Sequence, residues 1–85
     1  MKILWEERAW EEYCMWQNED KKTLKKINML IKDIQRNSFI GIGKPEALKG
    51  TLSGYWSRRI DGINRIVYSV DENSIKIIAC KGHYK

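Results

Sequence analysis

The chain has 85 residues, with 16 Lys and Arg against 11 Asp and Glu and a formal charge of +5. Hydrophobic residues make up 42% of it and charged residues 32%, which excludes a disordered chain, and the length leaves room for one modest core and no second domain. No apolar run approaches the ~18 residues of a spanning helix, and Met1-Lys2-Ile3-Leu4-Trp5-Glu6-Glu7 meets acid too early for a secretory signal. A soluble, cytoplasmic domain with no membrane partner is expected.

Lys2 to Trp5 is a short apolar run and reads as a first strand. Glu6 to about Asn18 reads as a helix, with Ala9, Trp10, Tyr13 and Cys14 near a 3.6 period and acid in the first turn, where the helix dipole favours it. Asp20 is an N-cap for a second helix running to about Arg36. Leu24, Ile27, Ile31 and Ile34 form its apolar stripe, and Lys21, Lys22, Lys25, Lys26 and Lys32 lie largely off it. That Lys face is either simply solvated or a surface for RNA phosphate. So short a break between two helices predicts an antiparallel hairpin.

Residues 37 to 54 carry Gly41, Gly43, Pro45, Gly50 and Gly54 and read as a long loop, a feature that is usually functional in a compact domain. Tyr55 to Ile60, Asn64 to Val70 and Ser74 to Cys80 are rich in β-branched and aromatic residues, with turn signals between them. The expected order is β-α-α-β-β-β. That is an α+β fold, with the helical hairpin packed on one face of a small antiparallel sheet.

Two Cys and one His cannot supply the four ligands of a structural zinc site, and no metal or cofactor is expected. Cys14 and Cys80 read as buried reduced thiols. A Cys80–His83 nucleophile pair is the alternative, but it lacks a third orienting group. The charge is uneven. Residues 1 to 40 hold eight Lys/Arg and seven Asp/Glu, whereas residues 41 to 85 hold eight and four. A basic half favours anionic partners, nucleic acid above all.

Outside the helices, the groups able to move protons or hold anions are Glu46, Lys49, Arg58, Arg59, Arg65, His83 and Tyr84, with Lys44 beside them in the loop. Metal-free RNA cleavage needs a base for the 2′-hydroxyl, an acid for the leaving 5′-oxygen and cations for the phosphate. These residue types suit that work, although their spacing is not diagnostic. A two-residue turn at Asp61-Gly62 would set Arg58 opposite Arg65, and a three-residue loop would set Arg59 opposite Arg65. Either register opposes two guanidinium groups, which is unfavourable unless a phosphate lies between them or both splay into solvent. A His-Tyr pair near the end of the chain is either a frayed tail or, through the only His, a proton donor near neutrality.

Four separated segments then resemble one family in order and spacing. They are Gly43-Lys44-Pro45-Glu46-Ala47-Leu48-Lys49, Leu52-Ser53-Gly54-Tyr55-Trp56-Ser57-Arg58-Arg59-Ile60, Asn64-Arg65-Ile66-Val67-Tyr68 and His83-Tyr84. The chain is similar in these, and in Trp5, Trp10, Trp16 and the Lys-rich helix, to YoeB toxins of the RelE/ParE superfamily. The resemblance spans essentially all 85 residues. It implies the RelE/YoeB-like microbial RNase architecture and a toxin of a type II toxin–antitoxin module. Such a toxin cuts mRNA in the A site of the 30S subunit and halts translation.

On the matching positions, the resemblance implies Glu46 as general base and His83 as general acid. It implies Arg65, helped by Arg59 and Lys49, as the phosphate holder, and Tyr84 as an orienting group. Arg58 and Lys44 join the substrate-binding set. It further implies a YefM-type antitoxin as partner, and four Trp residues leave room for a homodimer. Carrying Arg59 over favours the three-residue loop. The family pattern commonly stops at the Tyr, and here Lys85 follows. A carboxylate flanked by Lys44 and Lys49 is a poor base until a phosphate joins it, so free RNA is expected to be cut weakly. The rival reading on the same fold is a non-enzymatic, ParE-like toxin that binds gyrase, which has no need of an acid–base pair. A small basic RNA-binding module is a third reading, but no RRM or dsRBD signature is present.

Overall fold

A computed structural model describes residues 1–83 of the chain. Strand β1 (Lys2–Trp5) leads into helices α1 (Glu7–Glu19) and α2 (Lys21–Arg36). After a loop come β2 (Glu46–Ala47), a single 3₁₀ turn (Gly50–Leu52), β3 (Trp56–Arg59), β4 (Arg65–Val70) and β5 (Ser74–Ala79). The sheet order is β1-β5-β4-β3-β2. Tyr84 and its expected orienting role lie outside the described residues.

The sheet corrects the antiparallel expectation in one respect. Strands β2 to β5 are antiparallel neighbours, but β1 runs parallel to β5, with Ile3 beside Ile75 and Trp5 beside Ile77. The cause is the two-residue β2 inside the segment expected to be all loop. An antiparallel helix pair returns the chain to the end where β1 stopped. Four alternating strands then leave β5 running as β1 does; three would have left it opposed.

The second helix forms for the reasons visible in the sequence. The Asp20 side chain accepts from the amides of Lys22 and Thr23 at 3.1 and 3.2 Å and from the Thr23 hydroxyl at 2.9 Å, using donors that a helix start leaves free. Ile27, Leu30, Ile31 and Ile34 are buried against Ile66, Tyr68, Ile75 and Ile77 of the sheet, with Ala9 and Trp16 of α1 completing the core. Leu30 replaces Leu24 in the centre of the expected stripe, and Leu24 packs only at its margin. The Trp16 indole donates to the Cys80 carbonyl at 2.9 Å, which ties α1 to the end of β5.

Strand alternation separates the two neighbouring arginines. Arg59 points to the open face, while Arg58 points beneath the sheet and is 0% exposed. The expectation that Arg58 joins the substrate-binding set is therefore corrected, because its guanidinium is fully occupied inside the fold. It donates to the Tyr68 hydroxyl at 3.1 Å, to the Asp33 carboxylate, and to the carbonyls of Asn37, Ile40 and Ile42 at 2.6, 3.1 and 3.1 Å. The Tyr68 hydroxyl passes a further bond to the Ser38 carbonyl at 2.7 Å. Five donors in a planar fork thus pin the loop after α2 to both α2 and the sheet. The loop lies so close that a Cβ at Gly41 would sit 2.1 Å from Asp33 Oδ2, and one at Gly43 would sit 2.9 Å from Leu30.

Arg58→Ala strands those carbonyls and the Asp33 charge and is expected to lower stability by about 3–5 kcal/mol in urea unfolding; a loss under about 1 kcal/mol would contradict this role. The Asp33 carboxyl is held below its usual range, first by the Arg58 hydrogen bond and then by the Ile42 amide. Its folded value lies below the unfolded one, so its contribution is present above about pH 4 and is lost as pH falls through the folded value. Asp33→Asn should therefore flatten the fall in stability between about pH 5 and pH 2. An acid limb as steep as the parent's would count against the pair.

Candidate active site

On the open side of the sheet, a cleft of about 680 Å³ is lined by Lys44, Pro45, Glu46, Ala47, Leu48, Lys49, Ser57, Arg59, Arg65 and His83. Six residues singled out from the sequence as base, acid or anion holders thus meet from four separate segments.

Each wall has a local cause. Pairing of β2 with β3 sets Glu46 opposite Ser57. Just before β2 the chain turns sharply, with Gly43 at φ +80° and Lys44 at φ +51°, and Gly43 is held by an Arg59 amide bond of 2.6 Å. Lys44 is a non-glycine residue in the left-handed region, a conformation that persists only where its surroundings impose it. After β2, the Leu48 amide donates to the Tyr55 carbonyl at 2.9 Å and extends the pairing to the residue before Lys49.

The β3–β4 hairpin uses the three-residue loop. Ile60 N donates to Asn64 O at 2.9 Å, and Arg59 stands opposite Arg65. Of the two registers open at the sequence level, this is the one that the family resemblance favoured. Asp61 shapes the turn, accepting from the amides of Ile63 and Asn64, each at 2.7 Å. Those bonds hold its carboxyl below the usual range, and the nearby Arg65 charge adds to the effect. Arg65 is steadied by donating from Nη1 to the carbonyls of Asp61 and Asn64 at 3.0 and 3.2 Å. Two aligned like charges normally oppose pairing by a fraction of a kcal/mol up to ~1 kcal/mol. Here carbonyl oxygens rather than a carboxylate hold one of them.

Among the described residues, Lys44, Lys49, Arg59 and Arg65 make no ion pair; the pairs present are Arg8–Glu12, Arg58–Asp33, Lys76–Glu6 and Lys81–Glu19. The cleft therefore sets four cations without an ion pair beside one carboxylate, Glu46. That arrangement suits an anion with several oxygens, such as phosphate. Sequence reasoning missed Ser57, which lies between Trp56 and Arg58 and shares the open face with Arg59. Strand alternation from Arg59 would have found it.

The thiols are less suited to chemistry. Cys80 is fully buried, and its thiol is pushed up to about 12, mainly by burial and secondarily by the charge of Glu12. It stays protonated near neutrality and cannot act as a nucleophile. Cys14 is half-buried and free, so the expectation of two buried thiols holds in full only for Cys80. Iodoacetamide at about pH 8 should label Cys14 alone in the folded protein and both thiols in urea. Labelling of Cys80 at a comparable native rate would contradict its burial.

Two helices on a five-stranded mixed sheet are the fold also seen in YafQ from Escherichia coli. A solved YafQ mutant superposes with a TM-score of 0.81 at 14% identity, over 96% of this chain and 92% of that one, a likeness of fold alone. The chain itself belongs to the YoeB-like toxins of bacterial type II toxin–antitoxin systems, whose family pattern matches residues 5–84. It is 54% identical to toxin YoeB of Escherichia coli K12 over 84 residues, covering 99% of this chain and all of the relative. A YoeB/ParE toxin from Agrobacterium tumefaciens superposes with a TM-score of 0.96 at 44% identity, over 99% of this chain and 100% of that one. Two Staphylococcus aureus structures, a YoeB dimer and a heterotetrameric YoeB–YefM toxin–antitoxin complex, superpose at 0.93 and 0.92. Each is 53% identical, over 99% of this chain and 98% of the other.

Proposed function

We propose that this toxin is a ribosome-dependent endoribonuclease that cuts mRNA in the A site by metal-free acid–base chemistry. The observation that carries the reading is the meeting of Glu46, Arg59, Arg65 and His83 in one cleft. Glu46 takes the proton of the 2′-hydroxyl, and the 2′-oxygen attacks the adjacent phosphorus. The bond from phosphorus to the 5′-oxygen breaks as His83 donates a proton to that oxygen. A 2′,3′-cyclic phosphate and a 5′-hydroxyl result, and hydrolysis of the cyclic ester yields a 3′-phosphate. Arg65, with Arg59 and Lys49, stabilises the charge that builds on the phosphoryl oxygens in the transition state. Lys44 extends the positive rim along the strand, and Tyr84 orients the nucleotide or the proton donor.

The need for the ribosome follows from placement, because an RNA strand already held in place meets the cleft in a reactive geometry more often than a free one. A ribosomal substrate implies a cytoplasmic site of action. The YefM complex of the S. aureus relative supports a YefM-type antitoxin as partner, and the S. aureus dimer supports a homodimer.

The test is cleavage on purified ribosomes programmed with a defined A-site codon. Arg65→Ala should lower the rate by roughly 10²–10³-fold, the range for losing one transition-state charge donor. His83→Ala should still bind the ribosome yet fail to cut. Cleavage by His83→Ala at the parent rate would remove His83 from the acid role. Equal cleavage of naked and ribosome-bound mRNA by the parent would remove the ribosome from the account. Intact mRNA with damaged DNA in induced cells would favour a gyrase-directed toxin instead.

A further inference from the structure

Between Val67 and Tyr68 a bulge interrupts the β4–β5 ladder, and the last regular pair at this end is Val67 with Ala79. Beyond it, among the described residues, the two segments are joined through Gly82. The Arg65 amide donates to the Gly82 carbonyl at 3.0 Å, and the Gly82 amide donates to Asn64 Oδ1 at 2.7 Å. A side chain thus takes the donor that regular pairing would have given to a backbone carbonyl. Gly82 adopts φ +83°, and the next residue, His83, lines the cleft.

The other end of the Asn64 amide fixes its orientation. Nδ2 donates to Asp61 Oδ2 and Oδ1 at 3.0 and 3.3 Å. A carboxylate can only accept and a backbone amide can only donate, so a reversed side chain would lose both partners. The backbone of the same residue accepts from Arg65 Nη1 at 3.2 Å. Asn64 therefore touches the guanidinium of Arg65 and the amide N–H of Gly82, the residue before His83.

We propose that Asn64 is a positioning residue that sets the distance between the proton donor His83 and the phosphate holder Arg65. It does so by clamping Gly82 to the hairpin turn. The inference rests on the acid role given to His83 above. Proton donation to a leaving oxygen needs placement to within a fraction of an ångström, and a shift of about 1 Å costs on the order of 10²-fold. Binding of RNA by the cationic wall does not depend on the Gly82 bond.

Two RNA substrates separate positioning from a merely structural role. One carries the natural 5′-oxygen at the scissile bond. The other carries a bridging 5′-sulfur, which leaves as a thiolate with little need of an acid. With both in the ribosomal A site under single-turnover conditions, Asn64→Ala should cut the oxygen substrate ~10–100-fold more slowly and the sulfur substrate at nearly the parent rate. Binding of a 2′-deoxy, uncleavable A-site mRNA should be unchanged. Equal loss on both substrates, loss confined to binding, or no loss would overturn the proposal. In the parent protein the Gly82 amide should exchange with solvent at least ~100-fold more slowly than an open chain, a measurement that stands even if the variant does not fold. Exchange at the open-chain rate would overturn the clamp. If His83→Ala cuts the oxygen substrate as fast as the parent does, the acid assignment fails, whatever the state of the Gly82 amide.

Discussion

The Arg58 guanidinium, buried beneath the sheet, is the interaction on which the working face of this toxin depends. A charged fork in a core is costly unless every donor is used and the charge is met. Asp33 meets the charge, and Tyr68 with three loop carbonyls takes the remaining donors. The loop from Asn37 to Ile42 has one aromatic anchor, the Phe39 ring on Trp56 at 4.7 Å between centroids, while Phe39, Ile40 and Ile42 all remain exposed. Hydrogen bonds centred on the Arg58 guanidinium set the rest of its path. That path ends at Gly43, beside the Arg59 backbone, and from there the chain turns into β2 and the Lys44–Lys49 wall of the cleft. Arg58 lies in the core, and its effect on the active face is carried by the backbone.

The same strand presents the opposite chemistry one residue later. Arg59 faces Arg65 across the hairpin, with Lys44 and Lys49 nearby and Glu46 as the single acid among the described lining residues. A fold selected for stability alone gains nothing from such a grouping. A site for a phosphodiester gains a field that is strongest where charge develops in the transition state. The helical Lys face is different in kind, since residues 1 to 40 are nearly balanced in charge. The net excess of the chain is concentrated in the half that builds the cleft.

How much of this was legible in the sequence depended on whether the signal was local. The Asp20 cap and the α2 stripe, apart from the exchange of Leu24 for Leu30, follow from neighbouring residues and appear as expected. The three long strands of the second half also appear within a residue or two of their expected ends. The facing of Arg59 and Arg65 was narrowed to two registers, and only the loop length, three residues, decided between them. That decision also sends Arg58 inward, so treating Arg58 and Arg59 as equals conflicted with the register that the resemblance favoured. Strand β2 has two residues and no pattern to read, and missing it reversed the expected direction of β5 relative to β1. The Asn64–Gly82 clamp joins residues 18 positions apart through one side chain, which no periodicity reveals.

The central claim is that the cleft cleaves RNA through the 2′-hydroxyl of the substrate, with a protein base and a protein acid. The most direct measurement is mass analysis of the ends left on A-site mRNA after a single turnover. The account predicts a 2′,3′-cyclic phosphate or 3′-phosphate upstream and a 5′-hydroxyl downstream, with no product when the scissile nucleotide is 2′-deoxy. A 3′-hydroxyl with a 5′-phosphate, or cleavage of the 2′-deoxy substrate, would contradict it.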